Sequence, residues 1–313
     1  MKSGRMGIAY GSCSGSIEAN ADFYTVLMNN EVRNVTSSTY IKMMAHTCAV
    51  NLSVHFGTTE RLLPTGTACT SGSLAIGESY EAIAWGRQDL MIAGGAEEFS
   101  PTQVAVFDTL FATSRRNDSP ESTPRAFDSA RDGLVIGDGA ATLILEEREH
   151  ALARGARILA EIVGFGTNTD GRHVTQPNSE TQAVCIGLAL ESAGLSPADI
   201  GYVNAHGTAT DLGDVAEGTA LASVFGACRP PVSTIKSYTG HTLGACGAIE
   251  AAMTIEMMRH GWFAPNLNLE TPDPRCGEHD FITGPGRSFE TEFAMSNNFA
   301  FGGVNTSLIF RKA

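Results

Sequence analysis

The sequence predicts an α/β fold in which buried, mostly parallel β-sheets are layered with helices. Short apolar segments alternate with helical patterns along the 313 residues, and glycine turns recur between them. The apolar runs at 89–95, 158–166 and 200–204 predict strands. Residues 181–192 have helical spacing and end near Gly194, a residue type that commonly terminates helices.

The first part of the chain is organised around a glycine-containing turn. In residues 62–72, an apolar segment precedes Cys69. Residues 73–87 then repeat small and apolar side chains at helical spacing. After the strand at 89–95, residues 115–132 are rich in Asn, Asp, Ser and Pro. This composition predicts a functional loop rather than a linker.

The later part of the chain repeats this organisation. When Cys69 is aligned with His241, residues 241–244 align with residues 69–72, and both segments belong to glycine-containing turns. An extended segment is predicted at 232–236 and a second small-residue helix at 245–258. Cys69 and His241 would then occupy corresponding positions in the two copies.

A second internal similarity occurs after the two small-residue helices. Residues 136–145 and 301–310 each begin with a glycine turn and continue as a buried strand. Two similarities in the same order favour a duplicated architecture. We therefore predict two related halves, residues 1–150 with the cysteine and residues 151–313 with the histidines.

Composition and charge restrict the classes of partner. The net charge is −13, from 21 basic and 34 acidic residues, and no block of basic residues occurs. This argues against nucleic acid or an anionic membrane as the main partner. The sequence has no apolar stretch long enough for a membrane span, and residues 1–5 carry no signal-type apolar run, so we expect a cytoplasmic protein.

The cysteine pattern and the absence of nucleotide motifs limit the chemistry. The seven cysteines are odd in number and scattered, which is typical of a reducing compartment rather than of a disulfide framework. No Cys-x-x-Cys or His-Glu-x-x-His pair occurs, and no phosphate-binding glycine motif follows a predicted strand. We expect no metal site and no nucleotide cofactor.

Three side chains are candidates for a nucleophilic site. Cys69 is predicted at a helix N-terminus, which favours the thiolate and also forms a cradle for an oxyanion. His206 follows a predicted strand, and His241 begins the second small-residue helix. A pseudo-two-fold relation would make Cys69 and His241 neighbours. The alternatives are a small buried hydrophobic thiol and histidines that only make structural hydrogen bonds.

Four ordered blocks resemble the signatures of the 3-ketoacyl-[acyl-carrier-protein] synthases, the elongating condensing enzymes of fatty acid and polyketide synthesis. The blocks are TACTSG at 67–72, NAHGTAT at 204–210, KSYTGH at 236–241 and NFAFGGVN at 298–305. The resemblance extends over essentially the whole chain. It implies a thiolase-like layered αβαβα fold with two pseudo-symmetric halves, an acyl carrier protein as partner, and usually a homodimer, with a heterodimer as the other arrangement.

The resemblance also implies the activity and the roles of its residues. Cys69 would take an acyl group from a carrier-protein thioester, and malonyl carrier protein would then lose carbon dioxide and attack it. The product would be a 3-oxoacyl carrier protein. His206 and His241 would stabilise the negative charge on the malonyl unit, while Lys236 and Glu250 would form a supporting charged pair.

Further residues of the blocks are implied to bind the substrate. Thr208 and Thr210 match residues that hydrogen-bond the phosphopantetheine arm of the carrier protein, so the enzyme needs no cofactor of its own. The backbone N–H groups of Cys69 and Phe301 would form the oxyanion hole. Phe301, with Phe299, would gate the acyl pocket, although core packing is an equal alternative for Phe299.

The match departs from the family at the front. The family begins with a strand–helix portion before the segment that starts at Arg5, and we therefore expect the first half to be incomplete. A truncated, inactive protein or a chain-length-factor-like partner subunit is the alternative, although such partners lack the cysteine found at Cys69. A thiolase or an acyl-CoA-dependent starter enzyme is a further alternative, but starter enzymes have asparagine in place of His241.

Overall fold

The computed structural model describes residues 5–32 and 34–313. The expectation that residues 1–5 carry no signal-type apolar run concerns mainly residues 1–4, which lie outside the described residues. Two large β-sheets enclose a pair of helices, and further helices cover the outer faces of the sheets. Within the described ranges, no helix has both the length and the apolar character needed to cross a bilayer.

The strands occur along the whole of the described chain. In chain order they are β1 Met6–Gly11, β2 Leu62–Thr65, β3 Leu90–Glu97, β4 Gly139–Glu146, β5 Ala160–Thr169, β6 Ile200–Asn204, β7 Pro231–Ser233, β8 Trp262–Phe263, β9 Asp280–Phe281, β10 Arg287–Ser288, β11 Phe293–Phe299 and β12 Val304–Lys312.

The helices lie between these strands. In chain order they are α1 Ile17–Asn29, α2 Ser37–Lys42, α3 Thr47–Phe56, α4 Ser71–Ala84, α5 Pro101–Thr109, α6 Arg148–Ala153, α7 Ser179–Ala193, α8 Asp211–Phe225, α9 Lys236–Thr239 and α10 Cys246–His260.

The two large sheets share the arrangement of four of their strands. The first has the strand order β2-β1-β3-β4, and the second has the order β5-β12-β11-β6-β7-β9. β1 pairs in parallel with β2 and β3, as β6 does with β7 and β11. β4 then lies antiparallel to β3, as β12 does to β11. The predicted pseudo-symmetric, mostly parallel layers are confirmed, with antiparallel strands at one side of each sheet.

The core lies where α4 and α10 cross between the sheets. One apolar cluster combines Ile76 of α4, Ala251 of α10, Ala93 of the first sheet and Leu308 of the second. Burial of apolar side chains is the main stabilising contribution, and a fully buried large side chain such as Ile76 or Leu308 gives about 1.5–3 kcal/mol. The crossing places the N-terminal ends of α4 and α10 next to each other.

Most predicted elements exist, with shifted ends. The strand at 200–204 has its predicted bounds, and the strand predicted at 136–145 is β4. The extended segment predicted at 232–236 was wrong at its end, because β7 stops at Ser233 and a helical turn begins at Lys236. The sequence pattern predicts no helix at α1–α3, α5 or α8. α1 has many exposed apolar side chains, which blur the helical period.

The alignment of the two turns also needs correction. A short 3₁₀ turn precedes each central helix, Ala68–Thr70 before α4 and Leu243–Ala245 before α10. Cys69 therefore corresponds to Gly244 rather than to His241. His241 lies on the approach to its turn, three residues earlier than the predicted alignment places it.

Candidate active site

Cys69 lies on a strained turn at the start of α4. The preceding residue, Ala68, has a φ of 52°, a left-handed conformation that costs on the order of 1–3 kcal/mol for residues other than glycine. The Ser71 hydroxyl stabilises this turn, since it donates to the Ala68 carbonyl at 2.7 Å and accepts from the Thr67 amide at 2.9 Å. The turn directs the sulfur toward the second half of the molecule.

His241 is held by backbone bonds on both sides. Its amide donates to the Val135 carbonyl at 2.7 Å, and its carbonyl accepts from the Gly137 amide at 3.1 Å. The Leu243 amide donates to His241 Nδ1 at 3.3 Å. Because Nδ1 accepts this bond, the proton of the neutral ring lies on Nε2.

The three candidate side chains meet in one buried site. His241 Nε2 lies 3.1 Å from Cys69 Sγ, although the residues are far apart in sequence. The ring of His206 stands edge-on to that of His241, with centroids 5.3 Å apart. All three side chains are buried. The predicted proximity of Cys69 and His241 is confirmed, although they do not occupy corresponding positions in the two halves.

His206 is positioned by acidic side chains of α8. Glu217 accepts hydrogen bonds from the backbone amides of His206 at 2.7 Å and of Gly207 at 2.8 Å. Asp214 accepts from the Ala209 amide at 3.0 Å. The sequence reasoning missed both acids. Their spacing of three residues in an otherwise apolar and small-residue segment was the available signal, since such carboxylates are rarely buried without a partner.

Lys236 and Glu250 form a fully buried ion pair behind His206. Lys236 Nζ bonds Glu250 Oε1 and lies 3.2 Å from His206 Nδ1. Asn298, which the sequence reasoning did not assign, places its Nδ2 2.5 Å from Glu250 Oε2 and 3.3 Å from His206 Nδ1. Both neighbours of Nδ1 are donors, so the proton of His206 lies on Nε2. The two histidines therefore both present Nε2–H groups.

Burial dominates the electrostatics of this site. It raises the pKa of Cys69 to about 11, while the backbone amide of Phe301, the Lys236 ammonium and the amide of Cys69 itself act in the opposite direction. The helix start therefore does not produce a resting thiolate, contrary to the sequence-based expectation. Burial and the Lys236 charge hold the pKa values of His206 and His241 well below their usual range, so both rings are neutral.

Two groups of side chains are close enough to hold a metal ion. Ligand atoms of Cys69, His206 and His241 lie within 4.8 Å of one another, as do those of His206, Cys246 and Glu250. In the second group, the Lys236 ammonium already bonds Glu250 and contacts His206, which opposes a second cation there. The first group is the candidate nucleophile Cys69 with the two candidate donors His206 and His241.

A cavity of about 300 Å³ leads to the sulfur. Thr208 and Thr210 lie on its wall, and their hydroxyls are 2.9 Å apart. Phe299 also lines this cavity, with its ring 6.2 Å from that of His206, and is at the same time part of the core of the second half. Phe299 therefore packs in the core and also borders the cavity, and its role as a gate stays a prediction.

Phe301 also lines this cavity. Its ring packs on Phe107 with centroids 5.0 Å apart, and its amide is one of the two that face the Cys69 sulfur. Gly302 and Gly303 follow with φ values of 86° and 73°, a conformation that favours glycine. A movable aromatic side chain at Phe301 stays a prediction of the sequence resemblance.

Comparison with known families identifies the family to which the chain belongs. The family model for the beta-ketoacyl synthase N-terminal domain matches residues 1–151, and that for the C-terminal domain matches residues 159–270. The chain belongs to the beta-ketoacyl synthase family. Its fold is the thiolase-like layered fold that the sequence resemblance implied.

Named relatives of this synthase agree with the family models. The chain is 41% identical to 3-oxoacyl-[acyl-carrier-protein] synthase 2 of Vibrio cholerae over 98% of its own length and 76% of the relative's length. A crystal structure of a beta-ketoacyl synthase from Burkholderia phymatum is 60% identical, with a TM-score of 0.97, and the match covers 99% of this chain and 76% of that one.

Solved assemblies of related synthases include protein partners. The ketosynthase complex AntDE:AntF, which contains a type II polyketide acyl carrier protein, is 30% identical with a TM-score of 0.91 over 100% of this chain and 79% of that one. The ishigamide ketosynthase/chain length factor is 28% identical with a TM-score of 0.90, over 98% of this chain and 75% of that one.

Proposed function

We propose that this chain catalyses a decarboxylative Claisen condensation between an acyl group held on Cys69 and a malonyl unit on an acyl carrier protein. The observation that carries the proposal is the 3.1 Å contact between Cys69 Sγ and His241 Nε2, with His206 beside it. A nucleophile next to two neutral N–H donors suits a reaction that first forms a thioester and then an enolate.

The first step transfers the acyl group to the cysteine. The Cys69 sulfur attacks the carbonyl carbon of the carrier thioester, and the backbone amides of Cys69 and Phe301 receive the developing oxyanion. A new carbon–sulfur bond forms to Cys69, and the bond to the carrier sulfur breaks. The thiol proton of Cys69 ends on the released carrier thiol, so charge is conserved.

The second step forms the carbon–carbon bond. The malonyl thioester oxygen accepts the Nε2–H groups of His206 and His241, and the bond to the carboxylate breaks with release of carbon dioxide. The electron pair moves to give an enolate, whose carbon attacks the acyl carbon on Cys69. The carbon–sulfur bond to Cys69 breaks, a 3-oxoacyl carrier protein forms, and the sulfur takes a proton from water.

The neutral state of the histidines suits this step. A neutral Nε2–H can donate to an oxyanion without first binding a proton. The Lys236–Glu250 pair with Asn298 supports His206 from behind and takes no part in bond making. Loss of the Lys236 ammonium would leave Glu250 as an unpaired buried carboxylate next to His206.

The remaining parts of the proposal concern substrate delivery. Thr208 and Thr210 would hydrogen-bond the amides of the phosphopantetheine arm, and Phe301 would move to admit the acyl chain. We also propose an acyl carrier protein as partner, a homodimer as the assembly, and the division into halves at residues 150 and 151. The carrier protein in the related complex AntDE:AntF supports the first of these.

The test is mass spectrometry of the peptides obtained from the protein after the reaction. After incubation with an acyl carrier protein loaded with a fatty acyl chain, the peptide that contains Cys69 should gain the acyl mass, and Cys69→Ala should not. Addition of malonyl carrier protein should then release carbon dioxide and the 3-oxoacyl product. An unacylated wild-type protein that still binds a catalytic synthase would favour the partner-subunit alternative.

A further inference from the structure

A second buried thiol lies beneath the nucleophile. Cys246 is the first residue of α10 and is 2% exposed. Its Sγ donates to the backbone carbonyl of Cys69 at 3.1 Å, which is short for a hydrogen bond from sulfur. The contact joins the cysteine turn of the first half to the central helix of the second half.

The surroundings keep Cys246 in its donor form. Burial and the Glu250 carboxylate raise its pKa well above the usual range, so the thiol retains its proton. Asn298 Nδ2 lies 3.8 Å from the same sulfur. Cys246 Sγ is also within 4.8 Å of ligand atoms of His206 and Glu250. Cys246 therefore contacts the backbone of the nucleophile and also the group that supports His206.

The Cys69 turn needs external support, because Ala68 has a left-handed backbone conformation. Such a conformation persists only where the surroundings determine it. Within the turn, the Ser71 hydroxyl provides bonds to its own segment. The Cys246 thiol adds a bond from the other half, and this bond fixes the turn relative to the histidines.

We propose that Cys246 is a positioning residue for Cys69. Its S–H···O=C bond sets the orientation of the Cys69 backbone, and thereby the sulfur and the amide that faces the oxyanion. The substrate does not need to touch Cys246 for this effect. This inference rests on the proposed acyl transfer to Cys69.

The test compares three variants in the acylation of Cys69 by acyl carrier protein. Cys246→Ala removes the donor and should lower the acylation rate constant about threefold to tenfold with unchanged KM, the effect of one neutral hydrogen bond. Cys246→Ser keeps a donor and should restore at least half of that loss on a logarithmic scale. Cys185→Ala is the matched control, because the buried Cys185 thiol donates to the Gly166 carbonyl at 3.4 Å away from the site.

The outcomes distinguish a failure of the proposed function from a failure of the positioning role of Cys246. A wild-type protein that takes no acyl group contradicts the proposed function itself. If the wild type is acylated and Cys246→Ala reacts at the same rate, the positioning role is wrong. Equal losses of rate in Cys246→Ala and Cys185→Ala would also overturn it, since they would reflect general destabilisation. Melting temperatures measured on all variants identify any that fail to fold.

Discussion

Gly72 on α4 lies against Ala248 on α10, so closely that a Cβ at Gly72 would stand 2.9 Å from the Ala248 amide nitrogen. The contact is reciprocal, because a Cβ at Gly247 would stand 2.7 Å from the amide nitrogen of Ser73. The two glycines occupy corresponding positions in the two central helices. Their lack of side chains lets the helix starts approach, and Cys69 and the histidines then lie close to one another.

Substitution of Gly72 by alanine should therefore separate the two helices. Gly72→Ala forces backbone movement, and we expect it to lower the free energy of unfolding by about 1–3 kcal/mol. The acylation rate of Cys69 should also fall. Gly187→Ala is the control, because Gly187 lies within α7 with open space around it and should keep or slightly raise stability. Urea unfolding of both variants checks this; equal stability of the two would contradict the tight crossing.

Loss of the His241 ring should separate the two chemical steps. His241→Ala removes one donor to the malonyl oxygen, and we expect decarboxylation to slow by about 100- to 1,000-fold while acylation of Cys69 persists. Carbon dioxide release and the mass of the Cys69 peptide measure the two steps. His260→Ala serves as control, because His260 is an exposed residue at the C-terminal end of α10. Abolished acylation with intact decarboxylation would reverse the assigned roles.

The raised pKa of Cys69 gives a pH prediction. With a pKa of about 11, the thiolate fraction should rise about tenfold per pH unit below that value. Alkylation of Cys69 by iodoacetamide, followed by peptide mass spectrometry, should accelerate from pH 7 to 10 without a plateau. Because Cys228 is exposed and competes for the reagent, the measurement uses Cys228→Ser. A plateau below pH 8 would indicate a resting thiolate instead.

The buried ion pair should respond very differently to single and double substitution. Lys236→Met leaves the Glu250 carboxylate buried without its cation, and we expect a loss of about 3–5 kcal/mol in the free energy of unfolding. The double variant Lys236→Met, Glu250→Gln should lose less, because no charge is left unpaired. The exposed pair of Arg172 and Glu180 is the control, and Arg172→Met should change stability little. Urea unfolding distinguishes these cases.

Glu217 should make the folded state less stable as the pH rises. Burial raises its pKa from the usual 4.5 to about 8, so between these values the folded state holds a proton that the unfolded state lacks. Stability must then fall with increasing pH across this window, by at most about 1.4 kcal/mol per pH unit. Glu217→Gln should flatten this decline in unfolding experiments from pH 5 to 8. Parallel curves for wild type and variant would show that Glu217 does not titrate there.

The sequence by itself determined the layered fold, the duplicated order of turns, helices and strands, and the identity of Cys69, His206 and His241 as candidates. These depend on local information, namely apolar periodicity, glycine positions and motif spacing. The same information could not align the two halves correctly. Both His241 and Gly244 lie close to Gly240 in the sequence. Only the position of the 3₁₀ turn in the folded chain shows that Gly244 corresponds to Cys69.

Tertiary structure alone decided the contacts and charges of the site. Glu217, Asn298 and Cys246 reach the histidines or Cys69 from separate elements. The spacing of Asp214 and Glu217 suggests that both are buried, but it does not indicate which residues they contact. The resting state of Cys69 was likewise decided by burial, which outweighs the amides of its helix start. Desolvation depends on every residue packed around the sulfur, and therefore appears only once the chain is folded.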